Sequence, residues 1–179
     1  NDKTQGSGWA YIKTLEVKLF YSAYKPINGS SYVKLPKKIL TKRACINVMN
    51  KDQKCFMWSL LSILKPTDEH PERTTAYSDD DMKEFDFSMM TYPVQIKDIH
   101  KFENKNNISV NVFSLDEKND VQPLSISKFS FDSVVDLLLI DGVNDKNEST
   151  SHYVGIKSLS RLITSQVTKH TEKLIFCRR

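Results

Sequence analysis

Apolar positions recur at helical spacing early in the chain and at every second position later on. From Trp9, the residues Ile12, Leu15 and Leu19 fall on one side of a helix. Phe20, Tyr21 and Tyr24 follow, then a turn at Pro26-Ile27-Asn28-Gly29-Ser30-Ser31. Tyr32-Val33-Lys34-Leu35-Pro36 reads as extended, and Ala44-Cys45-Ile46-Asn47-Val48 as a short strand feeding a polar loop over 50–54. A second helix begins at Cys55, carries Phe56, Leu60, Ile63 and Leu64 on a broad apolar stripe, and must stop before Pro66. Residues 66–92 are polar and acidic, with Asp79-Asp80-Asp81 at their centre, and predict a long insertion with one helix. Ile96, Ile99 and Phe102 predict a further helix over 94–104.

The period then changes to two. Strands are expected at Ile108-Ser109-Val110-Asn111-Val112-Phe113, over 121–126, at Val134-Val135-Asp136-Leu137-Leu138-Leu139-Ile140 and over 152–157. A loop over 141–151 separates the last two. A helix over 159–165 and a strand over 173–177 close the pattern. Short connections between strands predict an antiparallel sheet of about five strands with the Cys55 helix on one face, an α+β arrangement. Residues 1–8 read as a flexible linker and 9–179 as one domain.

Composition narrows this little. A chain of 179 residues supports one domain with a real core. The net charge of +4 is spread along the chain; Lys37-Lys38, Lys42-Arg43 and Arg178-Arg179 are its densest basic spots. No basic face interleaved with aromatics marks a nucleic-acid footprint, and no apolar run is long enough to span a membrane. The start at Asn1 and the abrupt end at Arg179 suggest a fragment of a longer polypeptide, expected to be a monomer. Cys45, Cys55 and Cys177 cannot all pair and lack zinc spacing, which favours a reducing, intracellular setting (cytosol or nucleus) with no metal or cofactor.

The candidate chemistry lies at Cys55 and His152. Asp52-Gln53-Lys54 delivers Cys55 to a helix N-terminus, where the backbone dipoles favour thiolate. Cys45 and Cys177 sit in apolar strands and read as core. His70, His100 and His170 lie in polar or charged segments, whereas His152 opens an apolar strand. A cysteine nucleophile with a distant strand-borne histidine base is a cysteine-hydrolase layout, papain-like in fold. Asn50 and Asn47 are the oxyanion candidates on the approach to Cys55. Asp141 is a weak candidate for the third catalytic residue; Asp136 lies too far along its strand, and Asp145 and Glu148 would need a looped approach. Tyr153, next to the base, either packs as an ordinary strand residue or walls a groove that admits only glycine.

These residues carry a family resemblance. The run Ala44 to Ser59, Tyr92-Pro93-Val94 with Lys97-Asp98-Ile99 and Phe102-Glu103, the strand at 108–113, Ser151-His152-Tyr153, and Gly29-Ser30-Ser31-Tyr32 with Leu35-Pro36 closely resemble a module of large invertebrate proteins linked to Polinton-type mobile elements. That module is similar to deubiquitinases related to the herpesviral large tegument protein. The Asp52-x-x-Cys55 and His152-Tyr153 pairs are also similar to ovarian-tumour-type deubiquitinases. The resemblance implies a papain-like cysteine protease that hydrolyses the bond after the Gly-Gly tail of ubiquitin, with Cys55 as nucleophile, His152 as base and Tyr153 as gatekeeper to the tail. Ubiquitin and its chains would be the partners. Where the herpesviral pattern has an aspartate two residues before the histidine, this chain has Thr150, and the glutamine expected upstream of the cysteine has no clear equivalent. The third catalytic residue and the oxyanion donor stay open. The rival expectations are a protease that processes a mobile-element polyprotein and a non-enzymatic capsid or nucleic-acid-associated module.

Overall fold

The computed structural model describes residues 32–143 and 149–168. The linker at 1–8, the helix expected from Trp9, the turn before Tyr32, the strand at 173–177, His170 and Cys177 lie outside them, as do Asp145 and Glu148.

In chain order the elements are α1 (Lys37–Leu40), β1 (Cys45–Ile46), α2 (Cys55–Leu64), α3 (Asp79–Lys83), α4 (Ile99–Asn106), β2 (Ile108–Leu115), β3 (Val121–Ser125), β4 (Ser133–Val143), β5 (Ser149–Ile156) and α5 (Leu159–Val167). Their ends have local causes. Pro66 ends α2 shortly after Leu64. Ser78 and Asp81 close a capping box on α3, Asn107 ends α4 in the left-handed conformation at φ 53°, and the Ser158 hydroxyl caps α5 through the Arg161 N–H.

The strands form one five-stranded sheet in the order β1-β5-β4-β2-β3. It is mixed, not antiparallel. All neighbours run antiparallel except β2 and β4, which are parallel from Ile108 opposite Ser133 to Phe113 opposite Leu138. The short connection over 126–132 does not return beside β3. It crosses β2 and places β4 on that strand's far side. Side chains of β2 hold the crossing segment: Ser109 Oγ accepts from Phe131 N–H (3.1 Å) and donates to Phe129 O (3.1 Å), while Asn111 Oδ1 accepts from Ser127 N–H (3.1 Å). β4 and β5 also extend further than the pattern predicts, into the segment expected as a loop over 141–151: β4 runs to Val143 and β5 begins at Ser149.

Alternation along the strands divides the core in two. Val110, Val112, Val135, Leu137 and Tyr153 pack with Phe56 and Leu60 of α2 and Phe102 of α4. Leu138, Ile140, Val154 and Ile156 face the opposite side, where Val33, Ile39 of α1 and Leu159 and Leu162 of α5 cover them. Helices thus flank both faces of the sheet. A third cluster, Val48, Met57, Trp58, Leu61 and Tyr77, fastens the long insertion to the outer side of α2.

Candidate active site

The loop before α2 is organised by one carboxylate. Asp52 accepts from the Lys54 N–H (2.9 Å), from Asn50 Nδ2 (2.9 Å) and from Trp58 Nε1 (3.0 and 3.1 Å). Trp58 lies one turn into the helix, so the loop and the helix start are tied as a unit. Cys55 is the first residue of α2 and is buried, in the same cluster as Phe56 and Tyr153.

His152 is fully buried on β5, opposite Ile140 of β4. Its Nε2 lies 2.9 Å from Asn47 Oδ1, and Asn47 Nδ2 donates to the Val33 carbonyl at 2.9 Å. The second bond fixes the first: with its NH2 given to a carbonyl, Asn47 presents only an acceptor to the ring. The imidazole therefore carries its proton on Nε2 and a lone pair on Nδ1, and Nδ1 has no hydrogen-bond partner. Burial lowers the His152 pKa from 6.5 to about 4, so the ring is neutral at physiological pH. Tyr32 stands edge-on to it, with ring centroids 6.0 Å apart.

The residues singled out from sequence fall into two contact groups. Asn47 and His152 meet on the α5 side of the sheet; Cys55, Phe56 and Tyr153 meet on the α2 side. A thiol–imidazole hydrogen bond is not formed in this state, since Nδ1 is unpaired. The link between the groups is β1, which pairs with β5 (Ile46 opposite Gly155) and runs directly into Asn47 and the Cys55 loop.

Several expected roles change. Asn47 serves the histidine, and its amide is spent on Val33. Asn50 gives its amide to the Asp52 carbonyl (2.7 Å) and carboxylate, and its unpaired Oδ1 is an acceptor. Asn50 Nδ2 is thus engaged twice by Asp52, and Asn47 Nδ2 is turned to Val33, beside His152 and not among the residues that pack with Cys55. Tyr153 does not wall an open groove: its ring lies against Phe56 at 5.3 Å, its hydroxyl donates to Val94 O at 3.3 Å, and it is 4% exposed. Asp141 pairs with Ser151 and accepts from its hydroxyl, which places it off the His152 face, so it is not the third member. Asp136 accepts from Asn111 Nδ2 at 2.9 Å, far down β4. Cys45 sits at the sheet edge, where burial pushes its thiol up to about 12 against the pull of Lys157 and Lys42. His70 and His100 are exposed.

Sequence reasoning missed the Asn47–His152 contact and the part played by Asp52. The first had a weak signal: β1 ends one residue before Asn47, and an edge strand beside β5 carries that residue onto the same face as the histidine, two positions along β5 from it. Among the described residues, no group of three or more His, Cys, Asp or Glu side chains is placed to hold a metal, and no helix is long and apolar enough to cross a membrane. No family model, curated protein or solved structure matches this chain.

Proposed function

We propose that the domain is a papain-like cysteine protease of the deubiquitinase type, with Cys55 as nucleophile, His152 as general base and Asn47 as the residue that orients the base. The observation that carries this reading is the polarised imidazole. Nε2–H is held by Asn47, and the basic lone pair on Nδ1 is left unpaired in a water-excluded site. Most buried side-chain polar atoms have a partner, so a bare Nδ1 is an exception that a role in proton transfer would explain. The position of Cys55 at the head of α2, on a loop braced by Asp52, supports the nucleophile role.

In the reaction, Nδ1 takes the thiol proton as Sγ bonds to the carbonyl carbon and the carbonyl electron pair moves to oxygen. The tetrahedral adduct collapses, the C–N bond breaks, and the leaving amine takes the proton from Nδ1. Water then attacks the thioester, again with His152 as base, releasing the acid and restoring the thiol. This requires Nδ1 to come within hydrogen-bond reach of Sγ, and because the two side chains belong to opposite faces of the sheet, substrate binding must rearrange the edge between β1, β5 and the Cys55 loop to bring them together. The substrate class, a Gly-Gly tail of ubiquitin, rests on the family resemblance.

A ubiquitin carrying a C-terminal electrophile tests the proposal. The parent and Cys45→Ala should form a covalent adduct, and Cys55→Ala should not while keeping its melting transition. Labelling that persists in Cys55→Ala would remove the nucleophile assignment. A parent that ignores the ubiquitin probe but cleaves peptides after Gly-Gly would point to polyprotein processing instead.

A further inference from the structure

The reaction needs a hydrogen-bond donor for the oxyanion, and the two asparagines nominated for that role donate elsewhere, Asn47 Nδ2 to Val33 O and Asn50 Nδ2 to Asp52; the indole N–H of Trp58, inside α2, is likewise given to the Asp52 carboxylate. A different side chain stands over the head of α2. Tyr92 reaches there from the segment between α3 and α4. Its half-buried ring packs against the cluster that contains Cys55 and Phe56 and against the one that contains Met57 and Trp58. Lys54, the residue before the nucleophile, places its ammonium 5.9 Å from the centre of the same ring. Packing against both clusters and the Lys54 cation keep the phenol beside the head of α2.

Unlike Tyr77, whose hydroxyl donates to Pro71 O at 2.7 Å, and Tyr153, whose hydroxyl donates to Val94 O, the Tyr92 hydroxyl makes no hydrogen bond to a described residue. Burial, with Asp52 and Cys55 nearby, pushes this phenol up to about 12, so it remains an O–H donor across the working pH range.

We infer that Tyr92 is the oxyanion donor of this site, its hydroxyl hydrogen-bonding the carbonyl oxygen as Cys55 attacks. This rests on the cysteine-hydrolase reading above and supplies what the sequence left open, a counterpart for the missing glutamine. The phenol transfers no proton. It lends an O–H to the oxygen that gains the carbonyl electron pair, and releases it when the C–N bond breaks. A preorganised donor placed where charge develops acts on turnover more than on substrate binding.

Two probes of the same peptide sequence separate this role from a structural one. A peptide ending in Gly-glycinal adds reversibly to the Cys55 thiol and builds an oxygen like that of the tetrahedral adduct. A chloroacetyl analogue alkylates the thiol and leaves its carbonyl intact. Tyr92→Phe keeps the ring, and should bind the aldehyde about 10²-fold more weakly and lose a similar factor in kcat with KM little changed, while its alkylation rate stays at the parental value. Unchanged aldehyde affinity would overturn the assignment. An equal loss with both probes would also overturn it, by showing that the ring shapes the site and the hydroxyl does nothing in particular. If the parent reacts with neither probe at Cys55, the cysteine-hydrolase reading itself fails and this inference falls with it.

Discussion

His152 concentrates the physical tension of the molecule in one side chain. Burial holds its pKa near 4 in the folded state, whereas in the unfolded chain it takes a proton near 6.5. Between those values the unfolded state binds more protons, so stability rises with pH across the window. The contribution is complete above about pH 6.5 and drains away as pH falls toward 4. At 1.36 kcal/mol per pKa unit it amounts to roughly 3 kcal/mol. Urea denaturation of the parent and of His152→Gln at several pH values should show this as a difference: the parent loses more stability than the variant between pH 6.5 and 4. Equal slopes would mean that the imidazole is already solvated.

The Asn47 contact makes a second test at the same scale. Asn47→Asp sets a carboxylate against Nε2 and should raise the His152 pKa by roughly 1–3 units, because an adjacent opposite charge favours imidazolium. The imidazole resonances in an NMR titration report this directly. An unmoved midpoint would mean that the two side chains do not meet in solution.

Among the elements, α2 and β5 are the pair that carries Cys55 and His152 of the candidate site. Their close approach depends on Gly155. A Cβ there would lie 2.4 Å from Ser62 Oγ and 2.9 Å from Ile63 Cγ1. Gly155→Ala should therefore push the helix off the strand and cost about 1–3 kcal/mol, as overpacking of a filled core does. Removing the obstructing hydroxyl with Ser62→Ala should recover part of the loss, read as coupling in a double-mutant cycle on thermal or urea midpoints. Strictly additive effects would show that the clash is relieved elsewhere. Local elements were largely legible in the sequence for reasons of period and punctuation: the apolar stripe and Pro66 bound α2, and alternation marks β2 and β4. The meeting of Gly155 with Ser62 was not legible, because nothing in either segment states its distance from the other.

At the scale of the whole molecule, the α+β class followed from pattern, but the parallel pairing of β2 with β4 did not. Alternation shows that a segment is a strand without showing its neighbours. The clue was chemical and easily misread, since Ser109 and Asn111 look like solvent-facing positions of a strand and are in fact buried anchors for the crossing segment. The candidate site divides the same way. Cys55 and His152 could be nominated from their local settings, whereas the roles of Asn47, Asp141 and Tyr153 depended on which face of the sheet each side chain takes. That is a property of register, and a one-residue slip reverses it.

The register of β1 against β5 has a consequence for the timing of synthesis. Cys45 pairs with Ile156, so the ladder that leads into the loop before Cys55 closes on a strand made more than a hundred residues later. Until β5 leaves the ribosome, Asn47 has no histidine to hold, and β4, which lies between β5 and β2, lacks a neighbour on one side. On the proposed mechanism, a nascent chain that already displays Cys55 is thus catalytically silent. Non-local pairings of this kind form slowly relative to helices, so reactivity toward an acyl probe should emerge with the final cooperative folding step and not with the earlier appearance of helical signal.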